Sequence, residues 1–284
     1  MALSIVLVLC SGLAHAVWNL FAKQSTDKSV FLWAIYLPTT VLLLPTLVIE
    51  LSRTALSPNE LLTIVLSLLL QSAYAAILSF TYQAGDLSQV YPIMRGTPTL
   101  LTPVAGVLLL GETLPVWGWV GIGVMLVGFL VMVGRKKEAA SAVSRSSKPV
   151  LLALGVGLCI TTYTLVDKIN LETLSPLALL EVTNIGFLLG LTPAVLQTGR
   201  LRRVVQCHMR IIWIGAILSP GSYLLFLIAA QQANVSAVAP LREVGIVFAT
   251  LLGLFVLKES QGPRRITASI AVVMGIILIA SSAS

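Results

Sequence analysis

The chain has 284 residues, of which 57% are hydrophobic and 10% are charged, and its mean hydropathy is +0.98. An average soluble domain carries about 25% charged residues, so this composition excludes a water-soluble fold. The net charge of +7 is not evidence for nucleic-acid binding, because the basic residues lie in short clusters between apolar segments, where the positive-inside rule expects them. The sequence therefore predicts an integral membrane protein with no nucleic-acid partner.

The lengths of the apolar segments distinguish helices from barrel strands. A spanning helix needs about 20 mostly apolar residues, whereas a barrel strand needs about 10 residues of alternating polarity. Segments such as 61–79 and 116–133 are long and do not alternate. We therefore predict an all-α membrane protein with ten transmembrane helices, at 3–22, 30–49, 60–82, 87–110, 114–134, 149–167, 176–196, 211–231, 235–257 and 264–281.

Matching segments indicate two copies of a five-helix unit. GLAHAVWNLFAK at 12–23 matches GLCITTYTLVDK at 157–168 in its Gly-Leu pair, an aromatic residue and its final lysine. LSQVYPI at 87–93 matches VSAVAPL at 235–241 at a similar offset. Because five is odd, the second copy must cross the membrane in the opposite sense, an inverted repeat that is common among secondary transporters.

The repeats divide the chain near its middle. We assign the first repeat to 1–134, a basic linker to 135–148 and the second repeat to 149–284. Of the 18 Lys and Arg residues, Arg95 and Arg242 lie well inside predicted spans, Arg53 and Lys168 lie at one membrane boundary, and the other 14 lie at the opposite boundary. The positive-inside rule then places the linker in the cytoplasm of a bacterial cell and both termini outside its cytoplasmic (inner) membrane.

Well inside the predicted spans lie several ionisable side chains, among them those of His15, Arg95, Glu181, Arg242 and Glu243. A charged group there costs about 2.5–3.5 kcal/mol on insertion scales, so each is expected to face a wet cavity or a partner. Helical spacing groups them with other polar residues, namely His15 with Trp18 and Asn19, Arg95 with Tyr91, and Glu181 with Asn184. In an unbroken helix 9, Arg242 and Glu243 point about 100° apart.

Two interpretations of these charges remain open. In the first, Arg95 and Arg242 bind an anionic group, while Glu243 or Glu181 holds a substrate ammonium or a coupling proton. In the second, Arg95 and Glu243, which occupy equivalent positions in the two repeats, pair as a structural lock. The aromatic residues Trp18, Tyr74, Tyr163 and Tyr223 either line the cavity or serve as packing and interface anchors.

No motif in the chain indicates enzymatic chemistry. There is no phosphate-binding glycine loop, no nucleophile elbow and no zinc-ligand spacing in the sequence. We therefore expect no enzyme and no cofactor, with proton coupling as a possibility. The expected partners are a small-molecule substrate and the lipid bilayer, and the protein is expected to be a monomer or a homodimer. Small residues of helix 5, such as Gly121 and Gly128, suit close helix contacts, including contacts at a protomer interface.

The whole chain resembles the EamA-like proteins of the drug/metabolite transporter (DMT) superfamily. HAVWN at 15–19, YPIMRG at 91–96 and PLRE at 240–243 resemble, more narrowly, a subgroup associated with phosphonate utilisation. The resemblance implies a carrier that works by alternating access, with export as the default direction. Many relatives are described with cytoplasmic termini and a basic loop between helices 2 and 3, whereas here that loop carries Arg53 alone.

Together these features predict a secondary transporter of a small anionic or zwitterionic metabolite, such as an amino acid, an aminophosphonate or an organic acid. One alternative is a flippase that moves a lipid head group along a polar slot open to the bilayer. Another is a membrane sensor or assembly subunit that transports nothing.

Overall fold

The structure is a computed structural model that describes residues 2–22, 27–84, 87–133, 147–255 and 263–282. All regular secondary structure within these ranges is helical, which confirms the predicted all-α class. In chain order the helices are α1 Ala2–Ala22, α2 Lys28–Arg53, α3 Pro58–Ala84, α4 Leu87–Leu109, α5 Val116–Val133, α6 Lys148–Asn170, α7 Pro176–Thr198, α8 Leu201–Gln232, α9 Val235–Leu241, α10 Val244–Phe255 and α11 Pro263–Ser282. Most of the predicted linker lies outside the described residues.

The exterior of the bundle is apolar. Large side chains such as Leu42, Leu130 and Ile217 are more than two-thirds exposed on the outer faces of the helices. Seven helices in the described ranges are long and apolar enough to cross a membrane, and two shorter apolar stretches, Leu3–Trp18 and Val116–Met132, add to them. An apolar surface of this extent requires lipid around it, so the chain is a helical membrane protein.

The predicted helix 9 is broken. The sequence predicts one helix at 235–257, but α9 ends at Leu241 and α10 begins at Val244, with Arg242 and Glu243 in the turn between them. Pro240 has no backbone N–H, and the amides that follow it bond three residues back: Glu243 N to Pro240 O at 3.0 Å, and Gly245 N to Arg242 O at 3.1 Å. The predicted angle of about 100° between Arg242 and Glu243 assumed an unbroken helix, whereas the structure has a turn at these two residues.

Helix α1 crosses this break at very short range. A Cβ atom added to Gly12 would lie 2.4 Å from Val244 Cγ1 and 3.1 Å from Gly245 N. Only a glycine at position 12 lets the two backbones approach so closely. The contact brings the next turn of α1, which carries His15, to the level of Arg242 and Glu243.

Helix α8 begins earlier than predicted. The sequence predicts its start at 211, but the helix begins at Leu201 and has a non-helical residue, His208, at φ −125° and ψ 20°. Arg202 and Arg203, which the orientation count assigned to a loop, therefore lie on a short helical segment before the kink. Hydropathy identifies only the part of a helix that lies inside the membrane, so the charged residues at the start of α8 led to a predicted start that is too late in the chain.

The main interhelical contacts form matched pairs. The packing of α1 on α8 corresponds to that of α6 on α3, and α2 on α8 corresponds to α7 on α3. Likewise the packing of α4 on α6 corresponds to that of α1 on α10. The α2–α7 and α5–α11 contacts each join two equivalent helices, so exchanging the halves leaves them unchanged. Exchanging the two halves of the chain thus preserves the main contacts, as a two-fold relation between them requires.

The small residues of α5 are used within the chain. A Cβ atom at Gly121 would lie 2.6 Å from Gly275 O of α11, and one at Gly128 would lie 3.0 Å from Ala268 O. These glycines therefore allow close packing between α5 and α11. In this structure the predicted close contact of helix 5 is made inside one chain.

Carboxylates join the two halves at one end of the bundle. Glu112, which follows α4, accepts hydrogen bonds from Val235 N and Ser236 N at 2.8 Å each and from the Ser236 hydroxyl. Glu50 of α2 accepts from the backbone N and the hydroxyl of Ser175, both at 2.5 Å. Each carboxylate thus caps the N-terminus of a helix in the opposite half, where free amides and the helix dipole favour negative charge.

Candidate functional site

The break between α9 and α10 faces a cluster of charged side chains from α1 and α4. Arg95 of α4 has its Nη2 atom 2.6 Å from His15 Nε2 and its Nη1 atom 3.5 Å from Glu243 Oε1. A guanidinium has donors only, so His15 Nε2 accepts this hydrogen bond and the imidazole is neutral, with its proton on Nδ1. The pairing of Arg95 with Glu243 considered from the sequence is therefore present, and His15 shares the same guanidinium.

Arg242 is held differently from Arg95. Its guanidinium carbon lies 5.1 Å from the ring centroid of Tyr223 and 4.8 Å from that of Phe226, which is cation–π geometry. Within the described ranges no carboxylate oxygen lies within 4.0 Å of this guanidinium, and its nitrogens donate no hydrogen bond to a protein acceptor. The side chain is half-buried, so a cation inside the bundle keeps its donors available to a small molecule.

An aromatic row continues from Arg242 across the bundle. The ring of Tyr223 lies edge-on to Tyr163 at 6.1 Å, and Tyr163 lies edge-on to Tyr74 at 5.5 Å. Tyr74 then contacts Phe187 at 5.9 Å, and Phe187 stacks on Tyr36 at 4.4 Å with an interplanar angle of 23°. The row joins side chains from α8, α6, α3, α7 and α2, so it forms one continuous aromatic wall beside the charged cluster.

Two further aromatic residues lie against the charged cluster. The ring centroids of Trp18 and His15 lie 5.2 Å apart in edge-on geometry. The ring centroid of Tyr91 lies 5.6 Å from the guanidinium carbon of Arg95. The indole Nε1 of Trp18 is buried and has no hydrogen-bond acceptor within the described part of the protein. A buried donor without an acceptor is costly, so this N–H is available to an acceptor that is not part of the protein.

Sequence reasoning missed Asp167 and Phe226. Asp167 is fully buried in α6 and accepts hydrogen bonds from the Tyr223 hydroxyl and from Ser67 of α3. The predicted helix 6 ends at position 167, whereas α6 continues to Asn170. The signal for Phe226 was its spacing of three residues from Tyr223, which places both rings on one face of a helix.

The predicted site residues fall into two groups. Nine of them form the charged cluster and the adjoining aromatic row: His15, Trp18, Tyr74, Tyr91, Arg95, Tyr163, Tyr223, Arg242 and Glu243. Glu181 and Asn184 are bonded to each other on α7, with no ion pair or hydrogen bond to either arginine. The side chain of Asn19 lies outside the described residues.

Binding a metal ion requires several ligating side chains close together. Within the described residues there is no group of three or more His, Cys, Asp or Glu side chains that could hold one. The chemistry available at the cluster is recognition: two guanidinium groups, one carboxylate, a neutral imidazole and an indole N–H.

Comparison with known proteins finds a family that matches part of the chain. Residues 147–281 match the EamA-like transporter family, which belongs to the DMT superfamily. The matched region contains Tyr223, Arg242 and Glu243, and the first half of the chain contributes His15 and Arg95 to the same cluster.

Two individual proteins are similar over most of the chain. The glucose uptake protein GlcU of Bacillus subtilis (strain 168) is 28% identical over 211 residues, which is 71% of this chain and 69% of GlcU. One protein of known crystal structure shares the fold with a TM-score of 0.70, over 99% of this chain and 97% of its own, at 13% identity. The match of residues 147–281 and the similarity to GlcU point to a membrane transporter rather than an enzyme, whereas the similarity to the solved structure shows the fold alone.

Proposed function

We propose that the protein is a secondary carrier for a small metabolite with an anionic group, such as an amino acid, an aminophosphonate or an organic acid. The observation that carries this proposal is the Arg242 guanidinium, which lies over two aromatic rings and has no carboxylate oxygen within 4.0 Å among the described residues. A cation inside the bundle that makes no close ion pair with the described residues suits an anionic ligand, which would supply an opposite charge and hydrogen-bond acceptors.

The charges of the cluster favour an anion or a zwitterion. Arg95 is paired with Glu243 at 3.5 Å, and His15 is neutral, so the positive charge of Arg242 is left in excess within this group. A ligand carboxylate or phosphonate would bind the Arg242 guanidinium, while a ligand ammonium would lie towards Glu243. The Trp18 N–H supplies a further donor to the anionic group.

The proposed mechanism is alternating access by two inverted five-helix repeats. The matched helix contacts between the halves support this arrangement, and so does the broken helix beside the charged cluster. In inverted-repeat carriers, discontinuous helices supply free backbone groups at the binding site, where the two repeats meet. Arg95 and Glu243 come from opposite halves, so movement of one half against the other alters their contact. The direction of net transport follows the gradients, and export is our expectation.

A neutral sugar is the second candidate substrate. The similar protein from Bacillus subtilis is named for glucose uptake. The aromatic row from Tyr223 to Tyr36 offers ring faces, which stack on the apolar C–H faces of a sugar. The two candidates differ in their need for Arg242, because a neutral sugar brings no charge for a guanidinium to bind.

A thermal-shift screen on the purified protein separates the candidates. The panel comprises amino acids, aminophosphonates, dicarboxylates and glucose, and each compound that stabilises wild type is titrated against Arg242→Ala and Arg242→Lys. We expect anionic compounds to bind Arg242→Ala at least tenfold more weakly, a loss of about 1.4 kcal/mol. Arg202→Ala, which alters an exposed arginine far from the cluster, is the matched control. Anionic compounds that bind Arg242→Ala as tightly as wild type contradict the proposal, and stabilisation by glucose alone favours the sugar.

A further inference from the structure

A second buried polar site lies on α7, away from the arginines. Glu181 has an exposed fraction of 0% and Asn184 of 1%. The Asn184 Nδ2 atom donates a hydrogen bond to Glu181 Oε2 at 3.4 Å. The other two oxygens of the pair, Glu181 Oε1 and Asn184 Oδ1, are buried and have no hydrogen-bond partner within the described part of the chain. The site therefore contains two buried acceptors for which the described residues provide no donor.

One proton supplies the missing donor. An ionised carboxylate and an amide oxygen both only accept hydrogen bonds, so neither satisfies the other. A proton on Glu181 Oε1 turns that atom into a donor, and the Asn184 oxygen is the free acceptor on the adjacent amide. The acid and the amide then share two hydrogen bonds in opposite directions, and no buried charge remains.

The surroundings of Glu181 do not compensate a negative charge. Within the described residues no Lys, Arg or His nitrogen lies within 4.0 Å of its carboxylate. Helices α7 and α2 run antiparallel, since Ser175 contacts Glu50 and Phe187 contacts Tyr36. This register places Thr40 and Leu43 of α2 level with Glu181 and Asn184 along the helix axes.

The titratable groups on the packed helices are already in use or lie farther away. On α2, Tyr36 is bonded to Ser219 and Glu50 to Ser175, while Lys28 and Arg53 lie at the two ends of the helix. On α3, Tyr74 belongs to the aromatic row, and Glu60 and Tyr82 lie near the two ends of the helix. Beyond α3 lies Asp167, bonded to Ser67 and to Tyr223 of α8. None of these groups donates a hydrogen bond to Glu181.

We propose that Glu181 and Asn184 form a proton-binding site, in which the proton on the Glu181 carboxyl is donated to the Asn184 amide oxygen. The proton comes from water and returns to water, and no other bond is made or broken. If the protein is the carrier proposed above, this proton is its coupling ion.

The aromatic row connects this site to the charged cluster. Phe187 follows Asn184 by three residues on α7, stacks on Tyr36 and contacts Tyr74. Loss of the proton leaves a charge between α7 and α2, which weakens their packing. The rings of Phe187 and Tyr36 lie in the interface between α7 and α2, so a change in that packing moves the end of the aromatic row opposite Arg242, which contacts Tyr223 at the other end.

Infrared spectroscopy tests the site without any substrate. Spectra of the purified protein are recorded at neutral pH in H2O and D2O for wild type, Glu181→Gln and the control Glu172→Gln, whose side chain is exposed. We expect a protonated-carboxyl C=O band that shifts in D2O, is lost in Glu181→Gln and persists in Glu172→Gln. We further expect Asn184→Ala to move this band to higher frequency, because the acid loses its acceptor. A spectrum of Glu181→Gln that retains the whole band overturns the proposal.

Thermal unfolding provides a second test and distinguishes a proton from a metal cation. Glu181→Gln imitates the protonated acid, since its amide can donate to the Asn184 oxygen. We expect the Tm of wild type to fall as the pH rises, because deprotonation leaves a buried charge, and the Tm of Glu181→Gln to fall less. Replacing sodium with choline should leave the Tm of wild type unchanged. A sodium-dependent rise in Tm that Glu181→Gln abolishes overturns the assignment to a proton.

The two proposals fail separately. The infrared and unfolding tests contain no substrate, so a failed ligand screen does not affect them. Conversely, an infrared result that overturns the Glu181 proposal has no bearing on the test of ligand binding at Arg242.

Discussion

The Arg242 guanidinium lies 5.1 Å from the ring centroid of Tyr223, and the hydroxyl of the same tyrosine is bonded to Asp167. Tyr223 therefore joins a cation in the charged cluster to a buried carboxylate of α6. Its ring and its hydroxyl have separate roles, since the ring holds the guanidinium and the hydroxyl satisfies Asp167.

Removal of this hydroxyl should destabilise the protein without removing the ring. In Tyr223→Phe, Asp167 keeps Ser67 but loses its second donor, so we expect the free energy of unfolding to fall by about 1–3 kcal/mol. Chemical unfolding of the purified protein measures the change. In the Asp167→Asn background the same substitution should cost less, because a neutral amide needs the donor less than a carboxylate does. Equal losses in both backgrounds would show that the hydroxyl does not act through Asp167.

Close packing of α1 on the helix break should control ligand binding from a distance. A Cβ atom at Gly12 would lie 2.4 Å from Val244 Cγ1, so Gly12→Ala should displace the turn that carries Arg242 and Glu243. We expect any ligand found by thermal shift to bind this variant at least tenfold more weakly, about 1.4 kcal/mol.

Gly155→Ala is the matched control for this prediction. A Cβ atom there meets only Ile77 Cγ2, at 3.8 Å, which is ordinary contact. Unchanged binding in Gly12→Ala would mean that the turn does not depend on α1.

Two glycines of α5 should respond oppositely to the same substitution. Gly121→Ala places a Cβ atom 2.6 Å from Gly275 O, so it should separate α5 from α11 and cost about 1–3 kcal/mol of stability. Gly123→Ala meets no atom within 4 Å, so its higher helix propensity should leave stability unchanged or raise it by up to about 1 kcal/mol. Unfolding curves of the two variants compare them directly. Similar losses of stability in both variants would mean that the close contact between α5 and α11 does not depend on Gly121.

The Glu112 cap should hold the start of α9 in place. Glu112→Ala removes the acceptor for Val235 N, Ser236 N and the Ser236 hydroxyl, so we expect a loss of about 1–2 kcal/mol. Hydrogen exchange should quicken at the amides of Val235 and Ser236, while the amides in the middle of α3 stay protected. Exchange that is unchanged at these two amides would show that the carboxylate does not cap the helix.

Membrane orientation can be tested with a native cysteine. The basic-residue count predicts that the start of α8, which carries the exposed Cys207, is cytoplasmic. In a background with Cys10→Ala and Cys159→Ala, a membrane-impermeant maleimide should label Cys207 in inverted vesicles and leave it unlabelled in intact cells. Cys207→Ser in the same background is the control. Labelling of Cys207 in intact cells would reverse the predicted orientation.

The sequence by itself determined the properties that depend on local composition. Apolar runs of spanning length predicted the helices, because burial in lipid requires about 20 consecutive apolar residues whatever surrounds them. The cost of charge inside the membrane singled out Arg95, Arg242 and Glu243, and the structure joins Arg95 to Glu243 at 3.5 Å. The break after Pro240 also has a local cause, because proline has no backbone N–H to donate to the preceding turn.

Only the tertiary structure decided which side chains meet. Asp167 bonds to Tyr223 across 56 positions of sequence, and Gly121 packs on Gly275 of another helix. Glu181 lies apart from the arginines because α7 turns that side chain into a separate buried site with Asn184. Helical periodicity shows which face of a helix is polar, but the partner of that face depends on how the helices pack. That arrangement is set by contacts distant in sequence, which hydropathy and spacing do not contain.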